Sequence, residues 1–121
     1  SEDVWRPLLT RAVRKSEMVE LSGLPGEELI SKGMRDLACG ETRTQEALLV
    51  AMAATKLESL GLNVDKVAYE IEEPELELYR LLGESHQDAY REYKALRNRL
   101  GRFERALQSR ITRALHVEHV V

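Results

Sequence analysis

A chain of 121 residues, 43 % hydrophobic and 32 % charged, fits one domain around a single core. Its formal net charge of −3 argues against a dedicated nucleic-acid binder, which usually carries a strong basic excess, and its one cysteine excludes an internal disulfide. The longest apolar run, Ala47 to Ala54, is far shorter than the roughly twenty residues of a membrane-spanning helix.

The acidic opening Ser1-Glu2-Asp3 has no signal-peptide or anchor pattern, so a cytoplasmic location is expected. Val4, Trp5, Leu8, Leu9, Ala12 and Val13 recur at helical spacing, and Pro7 must lie in the first turn, where its missing N–H does no harm. This first helix should end near Leu21 to Gly23. Leu24-Pro25-Gly26-Glu27-Glu28 announces a second start, with proline near the first helical position and two carboxylates at the positive end of the dipole. Leu29, Ile30, Met34 and Leu37 should face inward, Cys39 should be a small buried hydrophobe, and Gly40 is the natural C-cap.

Thr44 or Thr42 is expected to cap a third helix running to Gly61. Its middle, Ala47 to Ala54, is apolar on every face, which places it at the centre of a bundle. In residues 62–73, Val67, Tyr69 and Ile71 alternate as in a strand, while Val64, Val67, Ala68 and Ile71 fit a helical turn, and a loop or short helix is expected. Pro74 begins a brief helix to Gly83. Ser85 with Asp88 then reads as a capping box for the last and longest helix, about 85–117.

Its stretch from Ser85 to Leu115 would span roughly 45 Å at 1.5 Å per residue, more than the width of a domain this small. Along it Tyr90, Tyr93, Leu96, Leu100, Phe103, Leu107, Ile111 and Leu115 advance by three or four residues each time, close to a heptad repeat. Arg97 and Glu104 lie on or beside that stripe, as register-setting polar residues do. Gly101 is the weak point where the helix could bend back. The resulting expectation is an all-α, single-domain bundle of about five helices, with core helices over about 4–84. Its function would be noncatalytic self-association, as a homodimer, or docking of another helical protein, through Leu100, Phe103, Leu107, Ile111, Leu115, Arg97 and Glu104.

Charge is unevenly distributed. Residues 65–84 carry 2 basic and 7 acidic side chains, and residues 85–121 carry 8 and 4. The basic face of the last helix, Arg99, Arg102 and Arg105, gives the alternative of nucleic-acid binding. His116-Val117-Glu118-His119 puts two imidazoles at i, i+3, but at the fraying end of the sequence it lacks a supporting shell, and neither a metal nor a cofactor is expected. No GxSxG, P-loop, GxGxxG or HExxH motif occurs. With only five Asn and Gln residues and abundant charge, the composition fits a heat-adapted source.

Lys32-Gly33-Met34-Arg35-Asp36-Leu37, the alanine-rich Glu46 to Ala54 and Arg97-Asn98-Arg99-Leu100 together resemble HEPN domains, small helical bundles often found in toxin and RNase systems, over roughly residues 28–116. The resemblance implies an Arg and His pair on the last helix supporting RNA cleavage at a dimer interface. Arg97-Asn98 has that opening, but the positions where histidine is expected hold Arg102, Phe103 and Glu104. Arg110 with His116, Arg80 with His86 and Arg113 with His119 have the spacing. In Arg110 with His116, Ile111 replaces the polar residue that commonly follows the arginine. On that resemblance the chain would be a member with lost or altered catalysis.

Overall fold

The computed structural model describes residues 21–120, with side chains through residue 114, so the helix expected over about 4–21 and the side chains of Leu115, His116 and His119 lie outside the described residues. Within them are five α-helices: α1 Glu27–Ala38, α2 Gln45–Met52, α3 Ala54–Ser59, α4 Pro74–Ser85 and α5 Ala89–Val120. A 3-10 helix, Lys66–Glu70, precedes α4, and no strand occurs among the described residues.

Local chemistry explains most of these boundaries. Leu24-Pro25-Gly26-Glu27 is a type II turn: Glu27 N–H donates to Leu24 O at 3.1 Å, and Gly26 takes φ 80°, ψ 7°, which needs a residue without Cβ. Pro25 therefore stands two residues ahead of α1 rather than inside its first turn. The other end of α1 is a Schellman motif, with Gly40 N–H donating to Leu37 O at 3.0 Å, Glu41 N–H to Asp36 O at 2.7 Å, and Gly40 at φ 83°. That geometry corrects the expectation for Cys39, which is the exposed C-cap residue and not a core side chain.

Thr44 is the N-cap of α2. Its Oγ1 accepts from Ala47 N–H at 3.0 Å and donates to Asp36 Oδ2 at 2.7 Å, tying the start of α2 to the end of α1. Lys32 Nζ reaches the same carboxylate at 2.8 Å and Glu46 Oε1 at 3.5 Å. These bonds hold the Asp36 carboxyl below its usual range, Lys32 contributing most and Thr44 next.

Directly below this network α1 and α2 cross at Gly33. A Cβ there would overlap the Glu46 carbonyl oxygen and come within 2.5 Å of Val50 Cγ2.

The helix expected from Thr44 to Gly61 is divided. Ala53 sits at φ −110°, ψ 13°, ending α2 and beginning α3, and its N–H turns to Val50 O at 3.1 Å. No side-chain hydrogen bond caps α3 there, and Met52-Ala53-Ala54 carries no glycine or proline to announce a break. In residues 62–73 the helical pattern prevails over the alternating one: Asp65 caps the 3-10 helix by accepting Val67 N–H at 3.0 Å, and Ala68 is buried.

Pro74 does start α4, preceded by Glu73 in the left-handed region at φ 47°. Gly83 does not end it. The helix runs through Ser85, and Asp88 caps α5 by accepting Arg91 N–H at 3.1 Å, so the start expected at Ser85 moves on by three residues. α5 then continues for 32 residues, about 48 Å, and Gly101 leaves the helix unbroken, contrary to a fold-back at that position.

α2 lies at the centre, touching α1, α4, α5 and the 3-10 helix, as its all-round apolar sequence requires. Phe103, Ile30, Leu37, Leu49, Leu57, Leu78, Leu82, Leu107 and Val50 are fully buried around it. No polar or charged residue is buried among the described residues.

Candidate interaction surface

A helix turns 100° per residue, so angular position on α5 sorts its side chains. Leu96, Leu100, Phe103 and Leu107 fall within one arc of about 60° and are all buried. The structure thus places three of the side chains expected at an interface, Leu100, Phe103 and Leu107, in the core of the chain itself. Ile111 is half-buried against that core.

Part of the cover comes from residues 22–28. Arg99 Nη2 pairs with Glu28 Oε2 at 3.1 Å, Arg110 Nη1 donates to Ser22 O at 3.1 Å, and Gly26 lies beside Phe103. The expectation that the stripe must be sheltered by a second chain is corrected over that stretch, because local sequence spacing does not reveal how much cover residues some 70 positions away supply.

The surface that remains apolar lies on the neighbouring arc. α4 and α5 form an antiparallel hairpin in which the Tyr79 and Tyr93 rings meet edge to face, with centroids 6.1 Å apart. Gly83 lies opposite Ala89, where an added Cβ would sit 3.9 Å from the alanine methyl. These two pairs fix the register. Outward of the seam stand Leu76 and Tyr79, each 42 % exposed, and Tyr90, 57 % exposed. They are three of the four exposed large hydrophobics among the described residues. The fourth, Tyr69, donates its hydroxyl to Glu58 Oε1 at 2.7 Å, and that bond holds its proton above the usual phenol range.

Basic side chains rest on these rings. Lys94 Nζ lies 5.1 Å from the Tyr90 centroid, and Arg97 Cζ lies 5.8 Å from that of Tyr93. Both are i, i+4 pairs, which a helix brings together. Arg97 is therefore exposed beside an aromatic ring rather than set into a helical seam. Glu104 is half-buried, and desolvation pushes its carboxyl above the usual range, partly opposed by Lys56, Arg105 and Arg97. It lines a shallow cleft of about 450 Å³ with Lys56, Gly101 and Arg105.

The three arginines of the expected nucleic-acid face do not share one direction. Stepping by three residues each, Arg99, Arg102 and Arg105 spread over an arc of about 120°; Arg99 is paired with Glu28, and Arg102 and Arg105 are exposed.

His86 Nδ1 lies 3.2 Å from Leu82 O, and its Nε2 is 3.9 Å from Glu92 Oε1, a hinge contact between α4 and α5. Arg80, its partner in spacing, is instead paired with Glu77 at 3.1 Å. No cluster of three or more His, Cys, Asp or Glu side chains suited to a metal ion occurs among the described residues, and no described helix is long and apolar enough to cross a membrane.

Sequence reading missed Leu76 and Tyr79 as surface features and merged Tyr90 with the buried stripe. The signal was present: Tyr90 lies about 110° from the centre of the Leu96, Leu100, Phe103 and Leu107 arc. No family model, curated protein or solved structure matches this chain.

Proposed function

We propose that the chain is a noncatalytic helical interaction module that docks through the outer face of the α4–α5 hairpin. The observation that carries this reading is the concentration of Leu76, Tyr79 and Tyr90 on one face while every other large apolar side chain described, apart from hydrogen-bonded Tyr69, is at least partly withdrawn. Exposed apolar patches with a polar rim mark protein contacts, and tyrosine is favoured there because its ring buries area while its hydroxyl tolerates water. A photo-crosslinking residue at position 90 should give a discrete adduct in cells of the source organism, and the same residue at Ser59, exposed at the end of α3, should not. Equal yields at both positions would refute the reading.

A second reading keeps the nucleic-acid alternative, with or without the RNase activity that the HEPN resemblance implies. It is favoured by Tyr90 and Tyr93 standing beside Lys94 and Arg97, since aromatic rings interleaved with cations make stacking platforms for single-stranded bases. It predicts single-stranded RNA affinity that falls steeply with salt and weakens in Tyr90→Ala. Affinity unaffected by either change would remove it.

A further inference from the structure

We infer that the occupant of this face is a second copy of the same chain, related by a two-fold axis that runs parallel to the hairpin, so that α4 of each copy covers α5 of the other. This inference rests on the interaction reading above and adds the partner and its orientation.

Charge selects this partner. α4 and the segment just before it are acidic, with Glu70, Glu72, Glu73, Glu75, Glu77 and Glu84 against a single arginine, Arg80. The adjoining stretch of α5 is basic on balance, with Arg91, Lys94, Arg97, Arg102 and Arg105 against Glu92 and Glu104. These opposite charges lie side by side, yet the ion pairs formed turn elsewhere: Glu77 binds Arg80 on its own helix, Arg99 turns away to Glu28, and Lys94 and Arg97 rest on tyrosine rings. The Tyr79–Tyr93 and Gly83–Ala89 contacts separate the two charged ridges with an aromatic and small-residue seam.

An acidic ridge, an apolar seam and a basic ridge in parallel form a self-complementary face. Two in-plane axes can bring two such faces together. An axis perpendicular to the helices puts α4 on α4 and acid on acid. An axis parallel to them puts α4 on α5, acid on base, and keeps every residue at its own level, so that Tyr79 of one copy faces Tyr93 of the other. Electrostatics selects the second arrangement, because like charges placed opposite one another are penalised across an interface.

Size sets the strength. A hairpin face as long as α4, 12 residues, and about two helix diameters wide offers roughly 360 Å² per copy, or about 700 Å² in total. Stable interfaces start near 1,200 Å², so the association is weak and reversible.

The test is sedimentation velocity of the full chain from about 5 to about 500 µM, with two charge-reversed variants, Glu77→Lys with Glu84→Lys and Lys94→Glu with Arg97→Glu. The parent should self-associate as concentration rises. Each variant alone should associate far more weakly than the parent, because one of its ridges is left almost neutral, and an equimolar mixture should dimerise more strongly than either component, because it sets the intact basic ridge of one variant against the intact acidic ridge of the other. A parent that is monomeric throughout, or a mixture that gains nothing over its components, would overturn the inference. If either variant fails to fold by circular dichroism, salt decides: dimerisation of the parent should weaken by at least severalfold between about 50 and about 500 mM NaCl, and unchanged association would overturn the two-fold arrangement. A monomeric parent that still crosslinks at position 90 to a different protein would sink the second copy and leave the interaction reading in place.

Discussion

Replacing Gly33 with alanine isolates a single methyl group at the α1–α2 crossing. In an open helix the change stabilises by up to about 1 kcal/mol, because alanine loses less chain entropy. Here the new carbon would overlap a main-chain carbonyl that cannot rotate away and stand 2.5 Å from Val50 Cγ2, where ordinary contact begins near 3.4 Å. Relief requires moving the helices apart by about 1 Å, which forfeits a quarter to a half of each dispersion contact across the crossing. Overpacking of this kind costs about 3 kcal/mol, so the net loss is about 2 kcal/mol and the melting temperature falls by roughly 8 °C. Gly101→Ala is the control. It has the same propensity gain, and its new Cβ meets only the mobile Arg105 guanidinium, at 3.3 Å, so it should stabilise by up to about 1 kcal/mol. Urea and thermal unfolding followed by circular dichroism give both values. A Gly33→Ala protein as stable as its parent would refute the close-crossing argument, whatever Gly101→Ala does.

Leu107→Ala should cost about 2 to 5 kcal/mol of unfolding free energy independently of protein concentration, since Leu107 is fully buried within one chain; a loss seen only in association would return it to an interface. Thr44→Ala should cost about 1 kcal/mol by removing the α2 cap, with Thr44→Ser recovering most of it in the same urea titration. Asp36 holds its proton less tightly folded than unfolded, so its contribution is present above the ordinary carboxyl value of 3.8 and is lost as pH falls through and below it; Asp36→Asn should flatten that acid limb of the stability profile. Glu104 has the opposite sign. Its folded carboxyl titrates above the ordinary 4.5, so stability declines as pH rises from that value, and Glu104→Gln should remove the decline when stability is measured from pH 4 to 7.

Helix existence and type were legible wherever the chemistry was local. Thr44, Gly40 and Pro74 each announced a terminus through a hydrogen bond or backbone conformation that a few neighbouring residues determine, whereas Asp88, read as the partner of a cap at Ser85, is itself the cap. The central position of α2 followed from a run with no polar face to turn toward water. What could not be read depended on distant residues. The break at Ala53 has no local signal, and Cys39 is exposed because a motif closing at Gly40 leaves it outside the core. Part of the stripe on α5 was read as uncovered for the same reason: spacing identifies the stripe, but only the fold around it decides that Phe103 and Leu107 are already covered. Tyr79 and Tyr93 belong to different helices, and their pairing is visible only once the hairpin closes.

The unbroken length of α5 makes it a lever. It is held against α4 at Tyr93 and against residues 22–28 through Arg99 and Arg110, the latter 17 residues or about 26 Å further on, with no proline between to absorb a rotation. Tilting the hairpin by about 5° would press on that second hold with a displacement of roughly 2 Å, so a contact made at the tyrosine seam would be felt where Ser22 and Glu28 grip the helix.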